Sequence, residues 1–290
     1  MDIGIILLFD GQPGNRIGDC GTAAKRLEDL GFASLWLPDH VVLFEDYEPE
    51  YPFSSDGQPP FTQRQGWYDP LAGLMVAAGA TSKIRLGTNI LLVTERNPVL
   101  LAKDVVALDH YSNGRVNLGL GIGWCKREFE ALGIPFERRG RRADEYIEAM
   151  TRLWQDELAT YEGEFVAFRD AVAFPKPVQS PRPPIIIGGQ SRAALKRAAR
   201  LGDGWINMQM PVDEIPSAMK QLDIECETIG RDPSTLRRIH SLIYSTTDMY
   251  LRYLDVAREG GAAEISVAPW VADRHPDDVI EEIAKISGLT

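Results

Sequence analysis

Cysteine and positive charge are scarce in this chain, and each shortage closes off a class of protein. The three cysteines, Cys20, Cys125 and Cys226, form no CxxC pair and are odd in number. That argues against a disulfide-stapled scaffold and fits a reduced, cytoplasmic compartment. Lys and Arg total 31 against 42 Asp and Glu, a net charge of -11. Phosphate backbones need a basic field, so no nucleic-acid partner is expected. No apolar run approaches the roughly 20 residues of a membrane span, so no membrane partner is expected either. Residues 3–9 are apolar, but no basic segment precedes them and no cleavage pattern follows, so they read as a strand. The local basic cluster of Arg138, Arg139, Arg141 and Arg142 runs into Asp144, Glu145 and Glu148. It reads as a solvated, ion-paired helix start.

What is present is a core-forming chain of 290 residues, 44% of them hydrophobic. Strands are predicted at 3–9, 34–38, 84–93, 115–121, 184–188, 204–208, 239–245 and 263–268. Helices are predicted between them, at 18–30, 69–80, 99–111, 191–201, 212–228, 247–259 and 276–286. Runs such as IGIILLF and PIIIGG are continuously apolar, as strands become when helices cover both ends of a crossover. Short alternating units without a composition break predict a single α/β domain over 1–290, a TIM (β/α)8 barrel. An open, doubly wound sheet is the alternative, because periodicity does not prove closure. Two excursions follow strands two and four. Residues 41–67 are irregular and aromatic and read as a lid. Residues 125–183 hold a helix at 141–155 and a hairpin around 164–174. Both leave the carboxyl ends of strands, the face that carries chemistry in such barrels.

The residues at those ends are therefore the candidates. Thr88, Asn89, Gly121, Gly123 and Trp124 close the third and fourth strands. Asp39-His40 closes the second, in SLWLPDH. Only four histidines occur; His40 is either a proton-transfer group or a packed histidine bonded to Asp39 or backbone. The GLGIG of residues 119–123 either lets a flat ligand approach backbone or relieves crowding. Gly188-Gly189-Gln190-Ser191 precedes a helix, whose free N–H groups suit an anion, though Ser191 also suits an ordinary cap. Absences narrow the chemistry. No lysine ends a predicted strand, which disfavours Schiff-base catalysis. No His-x-His or paired carboxylates sit there, so no metal is expected. No GxSxG elbow occurs. A face rich in glycine, amide and aromatic residues suits a flat redox cofactor that brings its own chemistry.

The stretches LGTNILLVTERNPVLLAKDVVALDHYSNGRVNLGLGIGW and EFEALGIPFERRGRRADEYIEAMTRLW, with SLWLPDH and WYDPLAGL upstream, resemble the bacterial luciferase-like family. Its members are flavin- or deazaflavin-dependent oxidoreductases, and the likeness is closest to the coenzyme F420-dependent subgroup. The resemblance runs over residues 2–201. It implies a ring system at the carboxyl ends of the strands and a non-prolyl cis peptide within residues 87–90. It places Asp39 and His40 against the cofactor, Thr88 and Asn89 at the ring, and the backbone of Gly121, Gly123, Gly188 and Gly189 near the tail. Gln190 and Ser191 would receive the tail's phosphate, and a homodimer is the common assembly. One departure stands out. The deazaflavin-dependent sugar-phosphate dehydrogenases carry a glutamate where this chain has Trp124. Glu128, four residues on, either faces the pocket or, the favoured reading, caps or pairs within the following helix. The expected function is hydride transfer between coenzyme F420 and a small organic substrate. The alternatives are an FMN-dependent monooxygenase using reduced flavin and O₂, and a flavin- or deazaflavin-binding protein without turnover.

Overall fold

Buried, β-rich segments alternate with capped helices along most of the chain. A computed structural model describes residues 1–9, 17–46, 51–52, 54, 56–59, 61 and 66–290. The chain runs through β1 (Asp2–Ile6), α1 (Cys20–Asp29), β2 (Ser34–Leu37), α2 (Pro70–Ala80), β3 (Arg85–Thr88) and β4 (Leu91–Leu92). It continues with α3 (Pro98–Ser112), β5 (Val116–Gly121), α4 (Lys126–Ala131), α5 (Arg139–Gln155), β6 (Ala159–Glu162) and β7 (Ala167–Ala171). Then come β8 (Ile185–Gly188), α6 (Arg192–Leu201), β9 (Gly204–Ile206), α7 (Ile215–Thr228), β10 (Arg237–Ile243), α8 (Thr247–Glu259), β11 (Glu264–Ala268) and α9 (Pro276–Ile286).

Closure is settled by the pairing. β1 bonds in parallel to both β2 and β11, and β3 bonds to β5, so β1, β2, β3, β5, β8, β9, β10 and β11 form a ring. This is the TIM (β/α)8 barrel, and the open sheet falls away. Local chemistry sets its punctuation. Asn97 Oδ1 accepts from the N–H groups of Val99 and Leu100, and Pro98 takes the first position of α3. Asn113 (φ 55°) and Gly114 (φ 77°) end that helix in the left-handed region. The predicted third strand differs: it breaks into β3 and β4 around a cis peptide between Asn89 and Ile90. That bond lies within the expected residues 87–90.

One apolar core lies between sheet and helices, and a smaller one fills the barrel lumen. Trp36 dominates the lumen with Ile6, Ile186, Ile206, Ile239 and Ala268. Below it, Glu264 accepts from Trp36 Nε1 at 2.7 Å, from the Ser34 hydroxyl and from Arg237 at 2.5 Å. Burial pushes this carboxyl above its usual range, against the pull of Arg237. The amino end of the barrel is thus filled by side chains, and a cavity opens towards the carboxyl ends.

The excursions differ in part from expectation. In the segment 41–67, residues 47–50, 53, 55, 60 and 62–65 lie outside the described residues. After β5, a short additional helix, α4, precedes α5, and the hairpin sits earlier than predicted, as β6 and β7. No described helix is long and apolar enough to cross a membrane.

Candidate active site

At the carboxyl ends lies a cavity of about 420 Å³, within the range of small-molecule sites. His40, leaving β2, reaches its mouth. The His40 Nδ1 lies 2.9 Å from Glu128 Oε2, on α4. Glu128 is fully buried, and its other oxygen accepts from the N–H groups of Val41 at 2.6 Å and Val42 at 3.1 Å. A carboxylate can only accept, so it draws the imidazole proton to Nδ1 and leaves Nε2 as the atom able to take a proton. The Glu128 reading is therefore corrected: it pairs across the barrel mouth, not within its own helix. Neighbouring sequence offered no signal for this, because its partner lies 88 residues away.

Asp39, the preceding residue, also lines the cavity, but its carboxylate faces other partners. It accepts from Arg96 Nη2 at 2.9 and 3.0 Å and from the Leu92 N–H at 3.0 Å. Burial pushes the Asp39 carboxyl up, while the Arg96 guanidinium opposes that push. Asp39 thus ties β4 to the end of β2 and contributes its backbone to the wall more than its charge.

The Asn89–Ile90 bulge makes the back wall. A Cβ added to Gly121 would overlap Ile90 Cδ1 and sit 2.9 Å from Ile90 Cγ1; one added to Gly188 would meet Ile90 Cδ1 at 2.7 Å. These glycines therefore make room for the Ile90 side chain, which lines the cavity. Thr88 is a correction: it does not reach the cavity lining, and its hydroxyl donates to the Gly119 carbonyl at 2.6 Å. Strand alternation sends one residue of the Thr88-Asn89 pair outward. Asn89 does line the cavity. Its amide Nδ2 donates to Ser241 Oγ at 2.7 Å, and its Oδ1 is buried without a partner among the described residues. Asn207 and Ser241, missed in the sequence, complete this floor.

Gly123, Gly188, Gly189, Gln190 and Ser191 gather at the opposite end, by the start of α6. Ser191 caps α6 through the Ala194 N–H at 3.2 Å, and Gln190 donates to the Met208 carbonyl. Both readings of this segment meet here, because the cap leaves the loop on the cavity wall. Two arginines join it. Arg139 donates to the Gly123 carbonyl at 3.1 Å and stacks 3.8 Å over Phe136, and Arg197 is held by Asp144 and the Gly140 carbonyl. Arg139 is thus a cavity residue and not only part of a solvated helix start. Behind Gly123 sits Glu95, buried, with neither carboxyl oxygen bonded among the described residues. Desolvation, then the charges of Glu128 and Asp39, push its pKa up to about 9. Trp124 closes the mouth edge-on to His40, at 5.8 Å.

An apolar slot backed by Ile90, an unpartnered amide oxygen on the floor and a cationic end match a flat ring with an anionic tail. The fold is a (β/α)8 barrel with this cavity at the carboxyl ends of its strands. The chain belongs to the luciferase-like monooxygenase family, whose profile matches residues 1–265. An uncharacterized protein of Mycobacterium tuberculosis is 38% identical over 72% of this chain and 74% of its own length. An F420-dependent glucose-6-phosphate dehydrogenase of Kineococcus radiotolerans is 32% identical over 65% of this chain and 52% of its own. In fold, the chain superposes on the coenzyme F420-dependent tetrahydromethanopterin reductase of Methanopyrus kandleri with a TM-score of 0.77. That likeness covers 100% of this chain and 99% of the other at 18% identity. Members of this family are oxidoreductases and monooxygenases that use F420 or FMN.

Proposed function

We propose that this protein is an oxidoreductase that binds coenzyme F420 and moves a hydride between it and a small organic substrate. One observation carries the reading: His40, at the end of β2, is clamped by the buried Glu128 at the mouth of a slot backed by Ile90. The cofactor, when bound, supplies the hydride acceptor or donor. The chain's own residues do the rest. Ile90 would support the ring, Asn89 Oδ1 would accept an N–H from its edge, and Arg139, Arg197 and residues 188–191 would hold the anionic tail. His40 Nε2 would take or return the proton that accompanies hydride transfer. The lid residues Phe61 and Trp67 would shield that step from water.

A second reading has support of its own. An FMNH(2)-dependent dimethylsulfone monooxygenase of Pseudomonas putida is 34% identical over 52% of this chain and 42% of its own length. Anaerobic titration with oxidised F420 and FMN, followed by absorbance and fluorescence, separates the two. Tight FMN binding without F420 binding would reverse the order. A protein that binds either cofactor but turns over no enone, nitro compound or alcohol would favour a binding role.

The assembly proposed is a homodimer. α2 is apolar along its length (PLAGLMVAAGA) and packs beside α3, and Val76, Val99, Leu100 and Tyr111 stay exposed there. Light scattering after gel filtration should give twice the chain mass, and Leu100→Arg should return it to one. A cytoplasmic setting is supported by three cysteines that are all free and buried.

A further inference from the structure

We infer that the substrate half of this site takes an uncharged, largely apolar ring compound carrying one acceptor oxygen, such as a carbonyl. The inference rests on the cofactor reading above and concerns the other half of the same cavity.

Rings close a circuit at the mouth. His40 meets Trp67 at 5.0 Å, Trp67 meets Phe61 at 5.1 Å, and Phe61 meets Tyr51 at 6.3 Å. Tyr51 meets Trp124 at 5.2 Å, and Trp124 returns to His40 at 5.8 Å. Every contact in the circuit is edge-to-face, so ring faces and edges are both presented, as aromatic guests require. Among the described residues, charge is missing from this half. Of the charged groups lining the cavity, Asp39 is taken by Arg96, while Arg139 and Arg197 stand at the α6 end. His40 is matched by Glu128. An anionic substrate would shed its water here without meeting a counter-charge, whereas an apolar ring would gain from burial.

A second observation supplies the oxygen. Trp67 Nε1 is buried and, among the described residues, has no hydrogen-bond partner. A buried indole N–H normally finds an acceptor, and Trp67 lines the cavity. A carbonyl oxygen offered to Trp67 Nε1 would sit beside His40, whose ring centroid is 5.0 Å from that of Trp67.

The test is calorimetric titration of the protein, alone and loaded with whichever cofactor binds, using 1-acetonaphthone, naphthalene and glucose 6-phosphate. Acetonaphthone should bind in the micromolar range and glucose 6-phosphate should not bind at millimolar concentration. Phe61→Ala should weaken both naphthyl probes. Trp67→Phe keeps a ring but removes the donor, and should weaken acetonaphthone about tenfold, the ordinary worth of one lost hydrogen bond, while sparing naphthalene. Both positions lie outside helices and strands, and a thermal melt checks that each variant folds. The inference is overturned if glucose 6-phosphate binds as well as acetonaphthone, if acetonaphthone does not bind, or if both variants bind it unchanged. Should neither F420 nor FMN bind, the cofactor reading fails, and the titration of the protein alone still decides this one.

Discussion

Glu128 shows how a single buried carboxylate sets the chemistry of a neighbouring ring. Its two oxygens are divided between His40 Nδ1 and two backbone N–H groups, so its charge is fully engaged. Glu128→Gln keeps the shape and one acceptor, but an amide can also donate, so it no longer fixes the imidazole proton on Nδ1. Turnover should drop by roughly 10- to 100-fold, within the usual worth of an acid–base group. Cofactor affinity should change little, because the carboxylate faces the histidine. Unchanged turnover would show that the pair does not set the tautomer of the ring.

At the level of elements, the bulge between β3 and β4 and the ends of β5 and β8 form one unit. Ile90 occupies volume that any side chain at residue 121 would need. Gly121→Ala must push Ile90 out of place, and the cavity is the open direction. Cofactor affinity should fall by about tenfold or more, while the melting temperature falls by only a few degrees, since the atom displaced is the tip of a flexible chain. Adding Ile90→Ala leaves Ile90 Cβ, 3.8 Å away, as that residue's nearest atom and should recover part of the stability. Cofactor titration and thermal melts of the two variants check this. Coupling between the substitutions is the expected mark of direct contact.

For the whole molecule, the least comfortable group is Glu95. Its pKa stands at about 9 in the folded protein against an ordinary value of 4.5. Between those limits the folded state holds a proton that the unfolded chain releases. Stability from this group is therefore complete below about pH 4.5 and is lost as pH rises towards 9. Glu95→Gln mimics the protonated acid and should remove that slope. Melting curves across this range should coincide near pH 4.5 and diverge upwards, with the variant melting about 2–3 °C higher at pH 9, the shift that one to two kcal/mol gives in a chain of 290 residues. Parallel curves would mean that Glu95 is ionised in the folded state.

The order of strands and helices, the caps at Asn97 and Ser191, the turn at Asn113-Gly114 and the candidates His40 and Asn89 were all legible along the chain. They depend on periodicity and local backbone chemistry, which act over a few residues. What only the tertiary structure decided is who meets whom. Closure of the barrel, the His40–Glu128 clamp, the turning of Thr88 away from the cavity and the arrival of Arg139 and Arg197 beside residues 188–191 join positions far apart in sequence. Barrel closure brings those strand ends to one mouth, and a carboxylate such as Glu128 looks the same along the chain whether it will face solvent or a histidine.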